Sequence, residues 1–518
     1  MKIRHSKFNL SHENKLTCGM GTLVPFMCME TVPGDRFRCQ SDMILRMMPL
    51  IAPMMHKVDV FMHYFFVPTR IIWKNFDTFL TGGKDGNQTV AHPFVSASHV
   101  QVTTPNMKAG SLADYLGFPD LETIDWESTP VDALPFRAYA AVYNEWYRDE
   151  NLIDEIGCSD GDGEDTTTNL TLQRRAWHKD LFTNALPWAQ RGDNVTLPFK
   201  GQADVTSDDK GTAAVFPLGP GNHDSTSIAT GMFKLTGIAQ DNTSHDTQDY
   251  RVVGSANPPV AAKTNLIVDL TKVGGGISIQ DLRWAVIVEK WLERNARGGI
   301  RYIEFLLSHF GVHASDTRLQ RPEYLGGGKV PIVIGEVLQT SSTDSTSPQG
   351  NMAGKGVSAG SLPGFSKYFE EFGYVIGILS IMPKANYFQG MPRQFSRFSR
   401  FEMFFPEFCA LGEQAILNKE LLAESADPNG VFGYTPRFQE LRQIPSTVHG
   451  EFKTTLKFWH LAREFSDTPV LSKEFIECDP SERVFAVEDG SDKFVLDIWN
   501  NIQAVRPLPK FANPGVLL

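Results

Sequence analysis

Cysteine is scarce in this chain. Six residues in 518 (Cys18, Cys28, Cys39, Cys158, Cys409 and Cys478) include no Cys-x-x-Cys pair. That argues against a disulfide framework or a cysteine-held zinc, and for a reducing compartment. No apolar run approaches the ~18 residues of a membrane span, so no membrane insertion is expected. The opening MKIRHSKFNLSH has charges but no apolar stretch behind them, unlike a signal peptide. Positive charge is also short: 49 Lys and Arg face 60 Asp and Glu, for a net charge of −11. A protein that holds nucleic acid by bulk charge should be basic, so any such contact here must be local.

Catalytic and metal signatures are missing too. His309 and His313 stand four apart, but Gly311 lies between them and no third ligand is evident, so no metal is expected. The run Asp160, Asp162, Glu164, Asp165 departs from a calcium loop and reads as a solvated turn. Gly326-Gly327-Gly328-Lys329 lacks the leading Gly of a phosphate loop, and Val330 stands where Ser or Thr should hold magnesium. No Gly-x-Ser-x-Gly occurs. No catalytic residue and no cofactor are expected.

What is present is structural. Phe is abundant, 36 against 12 Tyr and 9 Trp, and Phe suits sealed apolar contacts. Ten of the sixteen Met lie at or before Met62. With Pro25, Pro33, Pro49 and Pro53, that Met-rich stretch reads as an arm, 1–57, packed as extended chain across a neighbour. Within it, Val32-Pro33-Gly34-Asp35 has the chemistry of a type II turn. Strands are expected at 58–67, 330–338, 374–382, 452–459, 485–487 and 494–498. Helices are expected at 71–80, 134–153, 279–296, 301–310 and 415–424. A Ser/Thr/Gly stretch at 340–362 reads as a spacer. Length alone allows three or four domains, but these strands do not alternate as βαβ units. They fit an all-β antiparallel sandwich with expanded, helix-bearing loops.

Residues 201–251 change character: Gly, Ser, Thr, Asn and Asp fill 26 of 51 positions. Roughly 199–276 reads as a functional surface insertion. Its exposed contacts are expected around Val215, Phe216, Asn222, His223, Met232 and Phe233. Two basic segments stand out elsewhere. One carries Lys2, Arg4 and Lys7. The other, 391–401 (MPRQFSRFSRF), interleaves Arg393, Arg397 and Arg400 with Phe395, Phe398 and Phe401. Basic residues alternating with rings suit single-stranded nucleic acid, where Arg meets phosphate and rings stack on bases. The competing reading puts Phe inside and leaves Arg facing solvent or a neighbouring subunit.

Long motifs in a fixed order carry a resemblance. They are RHSKFNLS at 4–11, VPGD at 32–35, RMMPLIAPMMHKVDVFMHYFFVPTRIIWKNFDTFLTGG at 46–83, LADYLGFP at 112–119 and PFRAYAAVYNEWYRDENL at 135–152. LQRRAWHKDLFTNALPWAQRGDNV at 172–195, LERNARGGIRYIEFLLSHFGV at 292–312, RLQRPEYLGGGKVPIVIGEVLQTSS at 318–342 and YFQGMPRQFSR at 387–397 follow. Together they resemble the major capsid proteins of microviruses, small icosahedral single-stranded DNA phages, and their gokushovirus branch in particular. Asn9 departs from that family's usual Asp. The resemblance implies an eight-stranded antiparallel jelly roll, with 58–518 as one domain interrupted by the insertion. It implies a homo-oligomeric T=1 shell around circular single-stranded DNA, in a virion assembled in the bacterial cytoplasm. The implied partners are scaffolding and minor virion proteins and a host receptor met by the insertion at the threefold axes. The readings set against it are a jelly-roll glycan-binding module and a glycosidase that forms no shell.

Overall fold

The segment Arg36–Met47 (RFRCQSDMILRM) alternates polar and apolar residues without a break, and it folds as a strand whose residues are alternately exposed and buried. Period-two alternation of this kind specifies a sheet wet on one face. A computed structural model describes residues 5–95, 108–119, 130–193, 195, 205–207, 239–240, 250–251, 266–268, 279–299, 301–313, 315–340, 350–487 and 490–510.

Twelve strands carry the argument: β1 Ser6–Asn9, β2 His12–Cys18, β3 Val24–Thr31, β4 Arg36–Met47, β5 Val58–Pro68, β6 Glu323–Pro331, β7 Val333–Leu338, β8 Met352–Tyr368, β9 Gly373–Pro383, β10 Glu413–Leu417, β11 Val431–Pro436 and β12 Phe494–Arg506. The larger sheet has the order β7-β8-β4-β12, and both β1 and β2 pair with β12 along successive stretches. The second sheet has the order β6-β5-β9-β3. Every pairing in both sheets is antiparallel. The steps β2–β3, β3–β4, β4–β5, β6–β7 and β8–β9 pass from one sheet to the other, so the chain repeatedly crosses the sandwich. One crossing is the VPGD turn: Gly34 has φ +95°, and the Asp35 amide donates to the Val32 carbonyl at 3.0 Å, as a type II turn requires.

The inner faces make one core. Phe37, Cys39, Met43 and Leu45 of β4 lie beside Ala504, Ile502, Ile498 and Leu496 of β12, and Val60, Met62, Tyr64 and Phe66 of β5 come from the other sheet. Each large side chain sealed there contributes about 1.5–3 kcal/mol. A polar bridge crosses the same interior: Tyr64 Oη donates to Ser41 Oγ at 2.7 Å, which donates to Asn500 Oδ1 at 2.6 Å. The second sheet is buried on both faces, so β5 and β9 are nearly continuous apolar runs. Its other face meets a helix, Leu134–Val142, and the Tyr143 that follows it, through Phe65, Val67, Ile376 and Ile378 against Phe136, Tyr139 and Tyr143. Arg137 of that helix is fully buried; it donates to Asp165 at 2.7 Å and to the Ile72 and Gly161 carbonyls.

Several expectations need correction. Residues 6–47, expected in an arm packed across a neighbour, pack within their own chain. They supply β1–β4, because alternation in β4 buries Phe37 to Met47 inside this chain. The supposed spacer at 340–362 contains much of β8, a 17-residue strand. Its inward positions are Gly354, Gly356, Ser358, Leu362 and Phe365, so small residues conceal the period. Residues 415–424 are not helical: β10 pairs with β11, and a 3₁₀ turn, Asn418–Glu420, follows. The stretch 452–459 forms two 3₁₀ turns rather than a strand, folded back by the His460 ring on the Phe452 carbonyl at 2.7 Å. Around 485–487 the described residues form one bridge, Leu50 with Phe485, rather than a strand. The expected helix at 71–80 is split in two, Thr69–Ile72 and Phe76–Thr81, by the extended Trp73.

The chain divides into two units, Met1–Asp193 with Lys290–Leu518, and Asn194–Glu289. In the second, Val205–Ser207 pairs with Leu266–Val268 and Ala239–Gln240 with Tyr250–Arg251, all antiparallel.

Candidate assembly surface

The Arg–Phe segment after β9 reverses the reading that put its phenylalanines inside and its arginines outside. Three short turns, Arg393–Phe395, Arg400–Glu402 and Pro406–Ala410, carry it. Pro392 and Pro406 stand at the starts of the first and third, where a missing N–H costs nothing. Arg393 turns inward: its Nη2 and Nε donate to Glu420 Oε1 at 2.7 and 3.1 Å, and Nη2 also reaches the Ala415 carbonyl. Arg397 pairs with Glu440, whose second oxygen accepts from Gln414 Nε2 at 2.7 Å. Glu420 and Glu440 are themselves largely buried. Burial alone raises the Glu440 carboxyl; hydrogen bonds from its own backbone, Gln414 and Arg397 outweigh that and hold it below its usual range. Charge-assisted pairs of this kind fix geometry.

With the arginines pinned, the rings point out. Phe395 is 64% exposed, Phe398 91% and Phe401 57%. Met403, Phe404, Phe405 and Leu411 are exposed beside them in sequence. Phe401 and Phe405 both meet Phe408, at 6.2 and 5.6 Å between ring centres. The backbone is held for this display: Glu402 accepts from the Ser399 and Phe398 amides at 2.9 and 2.7 Å, and these bonds lower its carboxyl pKa. Arg400 alone of the three arginines stays exposed, its guanidinium 4.7 Å from the Phe401 ring. Scattered apolar residues on a surface are ordinary, but a cluster this dense marks an interaction site.

The other sequence-predicted residues are placed as follows. Lys7 is exposed on β1. Lys2, Arg4, Val215, Phe216, Asn222, His223, Met232 and Phe233 lie outside the described residues. Asp162 and Asp165 of the acidic run hold the fold: Asp162 accepts from Trp73 Nε1 at 2.6 Å, and Asp165 is the partner of Arg137. The glycines at 326–328 sit in β6, where a side chain on Gly327 would strike Met62 and His63. His309 shares a 2.6 Å bond with Asn295. Among the described residues, no His/Cys/Asp/Glu cluster could hold a metal. A cavity of about 990 Å³ is lined by Arg174, Arg463 and Arg483 together with Glu464, Glu477 and Asp479. Its charges oppose one another, as in the Arg174–Asp479 pair at 2.9 Å. Sequence reasoning found the Arg–Phe segment but not its orientation, because that depends on Glu420 and Glu440, 20 and more residues away.

Comparison with known proteins is consistent along the chain. The family model described as "Capsid protein (F protein)" matches residues 1–516. The capsid protein VP1 of Chlamydia phage 1 is 35% identical, with 99% of this chain aligned to 96% of its own length. That of Bdellovibrio phage phiMH2K is 36% identical over 98% and 95% of the two chains. That of Spiroplasma virus 4 is 30% identical over 99% and 96%.

Proposed function

The chain belongs to the phage F-protein capsid family, a structural component of the virion and not an enzyme; from that premise we propose that it closes a T=1 icosahedral shell around circular single-stranded DNA. The crossing strand order is read here as a jelly roll of two Greek keys. The observation that carries the assembly reading is the inverted Arg–Phe segment. A monomer gains nothing by pinning Arg393 and Arg397 inside while Phe395, Phe398 and Phe401 face water. A neighbouring copy that covers those rings turns the cost into interface area. Shell contacts that close into rings about symmetry axes are of this heterologous kind.

The proposal narrows the DNA contacts. Arg393 and Arg397 already spend their charge on Glu420 and Glu440, which leaves Lys2, Arg4, Lys7 and Arg400 as candidates. The insertion, 199–276, is assigned to the outside of the shell and to a host receptor. Scaffolding and minor virion proteins complete the partners. Electron microscopy of the purified protein with its assembly partners tests the central claim, with closed particles as the expected result and small soluble oligomers at all concentrations as the refuting one. Limited proteolysis of intact particles tests the sidedness: cleavage is expected within 199–276, and preferential cleavage within 1–17 would reverse the assignment.

A further inference from the structure

We propose that the solvent-facing side of the larger sheet is the surface on which this protein receives single-stranded DNA. The inference rests on the enclosed-DNA reading above and adds residues to it. Along β4 the outward positions are Arg36, Arg38, Gln40, Asp42, Ile44 and Arg46, all exposed. Their cross-strand neighbours define the rest of the face. Val505 of β12 lies between Arg36 and Lys7, and Tyr368 of β8 lies across from Arg36 on the other side. Trp499 is opposite Asp42, and Asn501 is opposite Gln40. At the far end Arg46 is paired in register with Val357, two residues from the exposed Lys355.

Unpaired positive charge gathers on this face. Several arginines elsewhere find carboxylates: Arg137 with Asp165, Arg301 with Glu150, Arg321 with Asp316, Arg393 with Glu420. Lys7, Arg36, Arg38, Arg46 and Lys355 form no ion pair among the described residues. The acids beside them are few. Glu13 is taken by Lys15 at 2.6 Å, which leaves Asp42 and Asp497. In a chain of net charge −11, five unpaired cations on one sheet face complement a polyanion.

The aromatics fit the same occupant. Trp499 is 48% exposed and Tyr368 55%, and both stand on the face that carries the arginines. Rings with open π-faces among cations give a stacking platform that tolerates any base. Arg38 and Arg46 are eight residues apart on one strand, about 27 Å at strand rise. That span accepts several nucleotides, with phosphate contacts at both ends and Trp499 between them. The contacts are electrostatic and sequence-independent, so packaged DNA stays exchangeable with salt.

The test uses the full-length protein, oligo-dT and the triple variant Arg36→Gln, Arg38→Gln, Arg46→Gln. Each cation lost from single-stranded DNA lowers the slope of log affinity against log salt by about 0.7. The variant should therefore lose about 2 in slope, measured by fluorescence anisotropy. In DNA-filled wild-type particles, ultraviolet crosslinks should map to peptides containing Trp499 or Tyr368. An unchanged slope together with crosslinks elsewhere overturns the inference and leaves the shell reading standing. A folded variant that no longer forms particles, yet binds oligo-dT with an unchanged slope, also overturns it, because the face then belongs to a neighbouring copy. Closed wild-type particles without DNA would instead defeat the enclosed-DNA reading on which the inference stands.

Discussion

Replacing Phe398 by Ser should raise the concentration needed for assembly about 30-fold while leaving the single chain folded. A Phe side chain presents roughly 150–200 Å² for burial, and at 91% exposure almost all of it is still in water in the single chain. At about 25 cal/mol/Å² that area has an upper value near 4–5 kcal/mol. Ordering the side chain and desolvating its surroundings take back part of it, so about 2 kcal/mol per contact is the working figure. Two kcal/mol corresponds to about 30-fold in an association constant. Within the chain the ring does little, so thermal stability should change by no more than about 0.5 kcal/mol. Light scattering against protein concentration reads the first quantity, and a thermal melt followed by circular dichroism reads the second. Phe398→Leu should recover part of the threshold, since it restores apolar area without the ring. An unchanged threshold would show that no copy covers Phe398. A large fall in melting temperature would show that the ring packs within its own chain.

Asp165→Asn should destabilise the fold by about 3–5 kcal/mol, because it leaves the Arg137 guanidinium sealed beside a group that no longer neutralises it; urea denaturation checks this, and a loss under 1 kcal/mol would refute the buried-pair argument. Acid should weaken the protein before its carboxylates titrate. Burial pushes His56 and His63 down to about 4, with the Arg175 charge adding to the effect at His63. The unfolded chain takes up these protons near pH 6.5 while the folded one refuses them until about 4. Their contribution is thus fully present above pH 6.5 and lost as pH falls toward 4, about 2–3 kcal/mol for each group. Melting temperatures that stay flat from pH 6.5 to 4.5, or that His63→Phe does not flatten, would contradict this.

The parts of the fold that were legible share one property: their pattern is set by a single chain's own interior. The run at 58–67 was readable because β5 is buried on both faces, and burial on both faces selects an unbroken apolar sequence. The type II turn was readable because Gly34 alone supplies its positive φ. β8 was illegible for the opposite reason. Gly354 lies against the Ala52 backbone, Gly356 against Met47 and Gly364 against the Cys39 carbonyl, so close approach replaces the large side chains that would announce the period. The arm was misread because Met and Pro drew more weight than the strict alternation from Arg36 to Met47.

The candidate surfaces failed for a deeper reason. Rules that place apolar residues inside and charges outside assume that one copy of the chain has only water as its neighbour. Phe398 and Arg397 break that rule as a pair, and the pair is intelligible once the neighbour is another copy. Arg36, Arg38 and Arg46 obey it, yet they lack the carboxylate partners that Arg137 and Arg393 have. The two departures are complementary: apolar area left open where a protein neighbour would dry it, and cations left unpaired where a polyanion would neutralise them. A protein that stayed alone in water would have reason to remove both. Their coexistence in one chain therefore argues that each surface has an occupant, and that the two occupants differ in chemistry.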